Sequence, residues 1–204
     1  MNKGLLIVFE GIDGTGKSTQ MSLLASFLKE KGLDVIETRE PTNGQFGQRI
    51  RSLYANRNGV SREEELELFI ADRQEHVQDM LMPGLQEGKI ILCDRYFLST
   101  AAYQGAVGFS PEEIIERNSF APQPDLALLF YVPPQIGIER ITTGRGETLN
   151  DFEQEASLQK VAAIFDSLKL PYIQRIDASG SIESVHQAVL QAVTPFLRKM
   201  NQNA

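Results

Sequence analysis

Cysteine is almost missing from the 204 residues: Cys93 is the single one, set inside the apolar stretch "IILC". A lone cysteine excludes an internal disulfide framework and a metal–thiolate cluster, and its setting reads as a small buried hydrophobe in a reducing compartment. Histidine is nearly as scarce. Neither His76 nor His186 has partners at metal-ligand spacing, which leaves both as structural or surface residues. Long hydrophobic runs are also lacking: no stretch of about twenty apolar residues occurs, and the N-terminus has no long apolar segment ending in small residues. A cytoplasmic protein with no membrane partner is the expectation. Positive charge is in deficit, with a formal net charge of −7 and basic residues scattered, densest at Arg39, Arg49, Arg51 and Arg57. Binding a polyanion such as nucleic acid needs a clustered basic surface, so none is expected as a partner. Repeats, low-complexity stretches and linkers are absent, and a single compact domain over residues 1–204 follows as the expectation.

What is present is a regular alternation. Apolar runs "LLIVF" (5–9), "DVIET" (34–38), "IILCD" (90–94), "LALLFYV" (126–132) and "YIQRID" (172–177) are separated by helical patterns. Short strands apolar on both sides imply a three-layer α/β fold, a parallel sheet of about five strands flanked by helices. Ser61 with Glu64 forms a capping box ahead of "LELFIADRQEHV", and "SPEE" at 110–113 offers an N-cap serine followed by proline at the first helical position. Met21, Leu24 and Leu28 repeat at helical spacing until Gly32 supplies the stop. Residues 142–151, "TTGRGETLND", are polar and contain glycine between two helical patterns, the expected position of a lid loop.

Directly after the first strand comes "EGIDGTGKST", which fits G-x-x-x-x-G-K-[ST] through Gly11, Gly16, Lys17 and Ser18. Glycines let successive backbone N–H groups turn toward phosphate oxygens, and the following helix N-terminus adds partial positive charge. The candidate nucleotide cradle is therefore Gly11, Ile12, Asp13, Gly14, Thr15, Gly16, Lys17, Ser18 and Thr19, with Lys17 reaching the β- and γ-phosphates of ATP and the Ser18 hydroxyl ligating Mg²⁺. An ordinary glycine turn beside an exposed lysine is the bland alternative, disfavoured by the strand before and the helix after. "KIILCDRY" delivers Asp94 to the carboxyl end of a strand, where ligands sit in open α/β sheets. There Asp94 either holds Mg²⁺ through water or caps the next turn.

These motifs describe a Mg²⁺-dependent nucleoside triphosphate enzyme without naming its acceptor. No N-K-x-D base reader of a GTPase is found, nor the partner signatures of a transporter ATPase. A small kinase that forces two polyanions together needs arginines for the acceptor phosphate. Arg95 is well placed for this, and so is Arg51 if the segment after "TREP" folds over the strand edge.

The ordered set "FEGIDGTGKST", "TREP", "FIADRQEH", "LCDRY", "STAAYQG", "PDL" and "IDASGSIESVHQAV" resembles the thymidylate kinases of the P-loop nucleoside monophosphate kinases, over nearly the whole chain. The resemblance implies a P-loop kinase fold with a short lid, phosphorylation of dTMP to dTDP by Mg-ATP, and a homodimer. It makes Lys17 and Ser18 the triphosphate and magnesium contacts, Asp94 the magnesium carboxylate behind water, and Arg95 and Arg51 the holders of the thymidylate 5′-phosphate. It gives Phe69 the stacking on thymine, Arg73 a donation to a thymine carbonyl, and Thr100 and Gln104 positions at the base edge. Tyr103 then crowds the 2′ position of the sugar, and Asp13 lies near the 3′-hydroxyl. Helical spacing is compatible with these roles, since Phe69 and Arg73 share a face, as do Thr100, Tyr103 and Gln104. Taken one at a time, a phenylalanine in "ELFIAD" suits a core, and a tyrosine or glutamine suits a surface.

The lid is where the pattern departs. The resemblance leads one to expect an Arg before an aromatic–Glu pair, but "NDFE" has Asp151 there, and no Arg stands in the middle of the P-loop. Arg145 is the candidate that covers the phosphates on lid closure, with Arg140 against the adenine; both read equally as solvated helix-end charges. Rival functions are a kinase for another nucleoside monophosphate or a deoxynucleoside, and a catalytically weak nucleotide-binding homologue.

Overall fold

A computed structural model describes residues 4–55, 59–133, 135–137, 139–140 and 155–202. The expected lid, with Arg145 and Asp151, lies outside them. Five strands form: β1 (Leu5–Glu10), β2 (Val35–Arg39), β3 (Ile90–Asp94), β4 (Leu126–Tyr131) and β5 (Ile173–Asp177). All pair in parallel in the order β2-β3-β1-β4-β5, so the expected sheet is present and every expected strand falls within a residue or so of its run. The central strands are apolar on both faces because helices cover both. All six residues of β1 are buried, and so are the first five of β4.

The helices are α1 (Lys17–Glu30), α2 (Gln45–Ala55), α3 (Arg62–His76), α4 (Met82–Gln86), α5 (Phe97–Ala106), α6 (Pro111–Arg117), α7 (Glu155–Ser167) and α8 (Ile182–Gln202). Both capping signals are realised. Ser61 Oγ accepts from the Glu64 N–H while the Glu64 carboxylate accepts from the Ser61 N–H, and Ser110 Oγ accepts from the Glu113 N–H. A π-helical turn over Val77–Leu81, unannounced by the sequence, joins α3 to α4.

One large core unites the sheet with α1, α5, α7 and α8, and Cys93 lies wholly buried in it. Smaller clusters fix the helices that roof the sheet's carboxyl edge: Leu66 and Ile70 of α3 with Ala101 and Ile114, and Ile50 and Leu53 of α2 with Leu68. β1 leads out one way to β2, while its neighbour β4 leads the other way to β5. Such a reversal opens a crevice at the carboxyl ends of the strands, the usual ligand position in this architecture.

Candidate active site

A cavity of about 720 Å³ occupies that crevice. Its floor begins where β1 ends, because the chain must turn sharply around whatever fills the crevice. Gly11 has φ 131°, and a Cβ there would stand 2.2 Å from the Phe130 carbonyl oxygen; Gly14 has φ 77°, and a Cβ there would stand 2.2 Å from the Gly137 oxygen. Only glycine meets both demands. The turn ends at Gly16, the N-cap of α1. No side chain caps this helix and no acidic residue lies in its first turn, so its N-terminal N–H groups and dipole are left to an anion.

The lysine is poised but folded back. Lys17 Nζ donates to the Ile12 carbonyl at 2.8 Å, and is 6 % exposed. Burial and then the charge of Arg95 push Lys17 down to about 8, against the pull of Asp13, Asp94 and Glu10. A polyphosphate in the cavity would add negative charge that favours the charged form of this lysine against its burial and Arg95. Asp13, Gly14, Thr15, Gly16, Lys17, Ser18 and Thr19 all line the cavity. Gly11 and Ile12 do not. Of these two members of the expected cradle, Gly11 packs against β4 and Ile12 is buried with its carbonyl turned to Lys17 and Thr15.

Beside this half, Ser18 Oγ donates to Asp94 Oδ2 at 2.5 Å, while Asp94 Oδ1 is buried with no hydrogen-bond partner among the described residues. A hydroxyl and a carboxylate oxygen in need of a partner, on the wall of this cavity, suit a hard divalent cation that takes its other ligands from water and phosphate. No group of three or more His, Cys, Asp or Glu ligands exists among the described residues, so no all-protein cage competes with this arrangement.

The other half is organised by Arg95, which stands directly after β3 with φ 71°, an uncommon backbone for a residue with a side chain. Arg95 Nη2 donates to Asp13 Oδ1 at 2.7 Å and to the Tyr103 hydroxyl at 3.3 Å, and Nη1 donates to Ser99 Oγ at 3.1 Å. Its guanidinium carbon lies 5.0 Å from the Tyr103 ring centre, and the Tyr103 hydroxyl donates to Asp13 Oδ2 at 2.8 Å. Burial alone would raise Asp13, but Arg95 and Lys17 together hold its carboxyl well below the ordinary carboxylate range. Burial likewise pushes the Tyr103 hydroxyl up, so it remains a neutral donor.

Of the other residues expected here, Arg51, Phe69, Arg73, Thr100, Gln104 and Arg140 all line the cavity. The segment after "TREP" does fold over the strand edge: Arg51 Nη1 donates to the Pro41 carbonyl at 2.9 Å. Phe69 is half-buried, packing on the α2 cluster with one side while reaching the cavity with the other. Arg140 Nη1 donates to the Ala178 carbonyl at 3.0 Å. Gln104 is 1 % exposed, yet its Nε2 has no partner among the described residues. Arg73 is 1 % exposed and engaged mostly within the protein, to Glu40, Asn118 and Thr100.

Several residues in and behind this wall went unread in the sequence. Glu10 ends β1 and is fully buried; it accepts from the Tyr96 N–H at 3.0 Å and from the Ser99 hydroxyl. Ser99 is four residues past Arg95, a spacing that could have revealed it. Glu40 and Arg39 of "TREP" and Tyr54 of α2 complete the rim. His76, left open between core and surface, is buried, with Nδ1 2.9 Å from Glu40 Oε1.

Comparison with known proteins agrees with this geometry. The sequence model of the family described as "Thymidylate kinase" matches residues 9–189. A protein named "Thymidylate kinase" from Desulfotalea psychrophila is 58 % identical over 197 residues, covering 97 % of this chain and 98 % of that one. Proteins of the same name from Xylella fastidiosa strain M12 and Xanthomonas euvesicatoria pv. vesicatoria are 43 % and 46 % identical, over 96 % and 89 % of this chain and 89 % and 80 % of theirs. With the match running from the end of β1 into α8, the chain belongs to the thymidylate kinase family.

Proposed function

We propose that the protein transfers the γ-phosphoryl group of ATP to the 5′-phosphate of dTMP, giving ADP and dTDP, and that residues 1–204 form one nucleoside monophosphate kinase domain. The observation that carries the reading is the joining of two anion sites in one cavity: an uncapped glycine-rich helix start with Lys17 on one side, and Arg95 held by Asp13, Ser99 and Tyr103 on the other. In this reading Lys17 and the α1 N-terminus hold the β- and γ-phosphates, and Arg95 and Arg51 hold the acceptor phosphate. Ser18 and Asp94 would hold Mg²⁺, which when bound would neutralise negative charge on the donor phosphates. No general base is needed, because the attacking atom is already a phosphate oxygen. Catalysis comes from in-line positioning and from cations around the transferring group.

Thymine is accommodated by Phe69 as a stacking face, with Arg73, Thr100 and Gln104 at its edge. The orphaned Gln104 amide supports this, since a buried donor requires an acceptor and a pyrimidine carbonyl offers one. Asp13 and Tyr103 are set for the sugar, the carboxylate toward the 3′-hydroxyl and the ring crowding the 2′ position. A homodimer and a cytoplasmic location belong to the same reading.

ADP release with Mg-ATP and a panel of dTMP, dUMP, dCMP, AMP and thymidine tests it. Turnover should be strongest with dTMP, and weaker with dUMP by about 10- to 200-fold, the range for one methyl group in a pocket. Turnover of thymidine without dTMP, or silence across the panel, would refute the assignment. Arg145, outside the described residues, is the cation assigned to the closing lid, so Arg145→Ala should lower kcat by about tenfold or more. A change within about twofold, roughly 0.4 kcal/mol of barrier, rules that role out.

A further inference from the structure

The most extensive buried polar cluster outside the phosphate sites runs from the end of β2 through α3 to α5. Arg73 Nε and Nη2 both donate to Glu40 Oε2, at 2.9 and 2.5 Å; Nη2 also donates to Thr100 Oγ1 at 2.9 Å, and Nη1 to Asn118 Oδ1 at 2.6 Å. Four of the five guanidinium N–H donors are thereby taken, and the fifth, on Nη1, belongs to a side chain that lines the cavity. The carboxylate that fixes this fork is itself fixed. His76 Nδ1 lies 2.9 Å from Glu40 Oε1, and His76 Nε2 lies 2.8 Å from Thr38 Oγ1. Arg73 and His76, three residues apart on α3, face the same way, and Glu40, Arg73, His76 and Asn118 are each at most 5 % exposed.

His76 does not line the cavity. We propose that it is a positioning residue for base selection: by pinning Glu40 it locks the orientation of Arg73, and thereby makes the site accept a 4-keto pyrimidine and reject a 4-amino one. This rests on the reading above that Arg73 meets the base. A guanidinium has donors only, so it complements a carbonyl and opposes an amino group. The opposition discriminates only if the fork cannot turn aside. Every other donor of Arg73 is committed to a protein acceptor, and the largest commitment, to Glu40, depends on a carboxylate whose second oxygen is held by His76. Loss of that hold lets the carboxylate rotate and the guanidinium follow it.

The test is a competition between dTMP and 5-methyl-dCMP, which keeps the methyl group and changes the 4-position from keto to amino. It is read as a ratio of kcat/KM values, which is independent of the active fraction. His76→Phe fills the space without the hydrogen bonds and should reduce the ratio by about tenfold or more, with KM for ATP unchanged within about twofold. Thr38→Val, which loosens His76 from its far side and leaves the core volume intact, should move the ratio the same way by a smaller factor and serves if the Phe variant does not fold. A structural role alone would lower Tm and slow both substrates in proportion, leaving the ratio fixed, and would overturn the proposal. Arg73→Lys separates the two levels. A relaxed ratio in Arg73→Lys with an unchanged one in His76→Phe and Thr38→Val removes the positioning role only; an unchanged ratio in Arg73→Lys removes the base-reading role and the proposal with it.

Discussion

Arg95→Ala is expected to lower kcat/KM for dTMP by about a thousandfold, some 4 kcal/mol of transition-state stabilisation, while KM for ATP stays within about threefold. The asymmetry follows from where Arg95 stands. In the proposed reading the donor phosphates have Lys17 and the α1 N-terminus, whereas on the side assigned to the acceptor Arg95 is the cavity-lining cation that, among the described residues, is bonded to Asp13, Ser99 and Tyr103 together. Two polyanions brought into line repel each other, and a fixed cation between them is worth most when the charge is in transit. Arg95→Ala also strands Asp13: its carboxylate keeps Lys17 but loses a 2.7 Å ion pair whose partners are only 19 % and 24 % exposed. Arg95→Lys, which restores charge without the fork, should recover about tenfold of the loss, because one ammonium cannot bond Asp13, Ser99 and a phosphate at once. Steady-state kinetics with each substrate varied in turn checks the split; equal losses on the ATP and dTMP sides would argue that Arg95 serves the fold rather than the acceptor.

The fold was legible where local chemistry and tertiary role coincide. β1, the glycine turn and α1 could be read together because a two-sided apolar strand, glycines and a helical repeat sit within thirty residues of one another. Asp94 and Arg95 were legible because β3 is apolar up to its last residue. Strand order was not, since "23145" is a matter of which faces the crossovers take. The Glu40–Arg73–His76 cluster was hidden for a related reason: its members lie 33 and 36 residues apart in sequence, and an Arg and a His on a helix look alike whether they meet solvent or a buried carboxylate. Arg73 was expected to be a base reader, and its commitment to Glu40 is what the structure adds. Gly11 and Ile12, which do not line the cavity, show that a motif marks every residue a loop requires, including those that permit the turn.

Glu10→Gln should change the pH dependence of stability by about 3 kcal/mol. Burial at the end of β1 raises the Glu10 carboxyl from 4.5 to about 7, with the Ser99 hydrogen bond and then the charges of Arg95 and Arg73 pulling the other way and only partly offsetting it. The folded protein therefore binds a proton at Glu10 up to about pH 7, whereas the unfolded chain releases it near 4.5. Between these values the native state holds more protons, so stability falls as pH rises, by roughly 3 kcal/mol over the window. A glutamine is neutral throughout and removes this slope. Denaturant unfolding at pH 4.5 and pH 8 should show the variant gaining about 3 kcal/mol on the native protein, or about 6–12 °C in Tm for a chain of this length. Parallel profiles would mean that the carboxylate is compensated in place. The gain should not be free of cost in function. Glu10 accepts from the Tyr96 N–H and the Ser99 hydroxyl, and Ser99 Oγ accepts from Arg95, so the carboxylate holds the chain just after the left-handed backbone of Arg95 and, through Ser99, its guanidinium. A glutamine nitrogen in place of one oxygen must donate toward Ser99, turning that hydroxyl away from its present geometry and loosening Arg95. The variant should thus be more stable than the native protein at pH 8 and, if Arg95 serves the acceptor as proposed, slower with dTMP, a buried charge kept at the expense of stability because the placement of Arg95 depends on it.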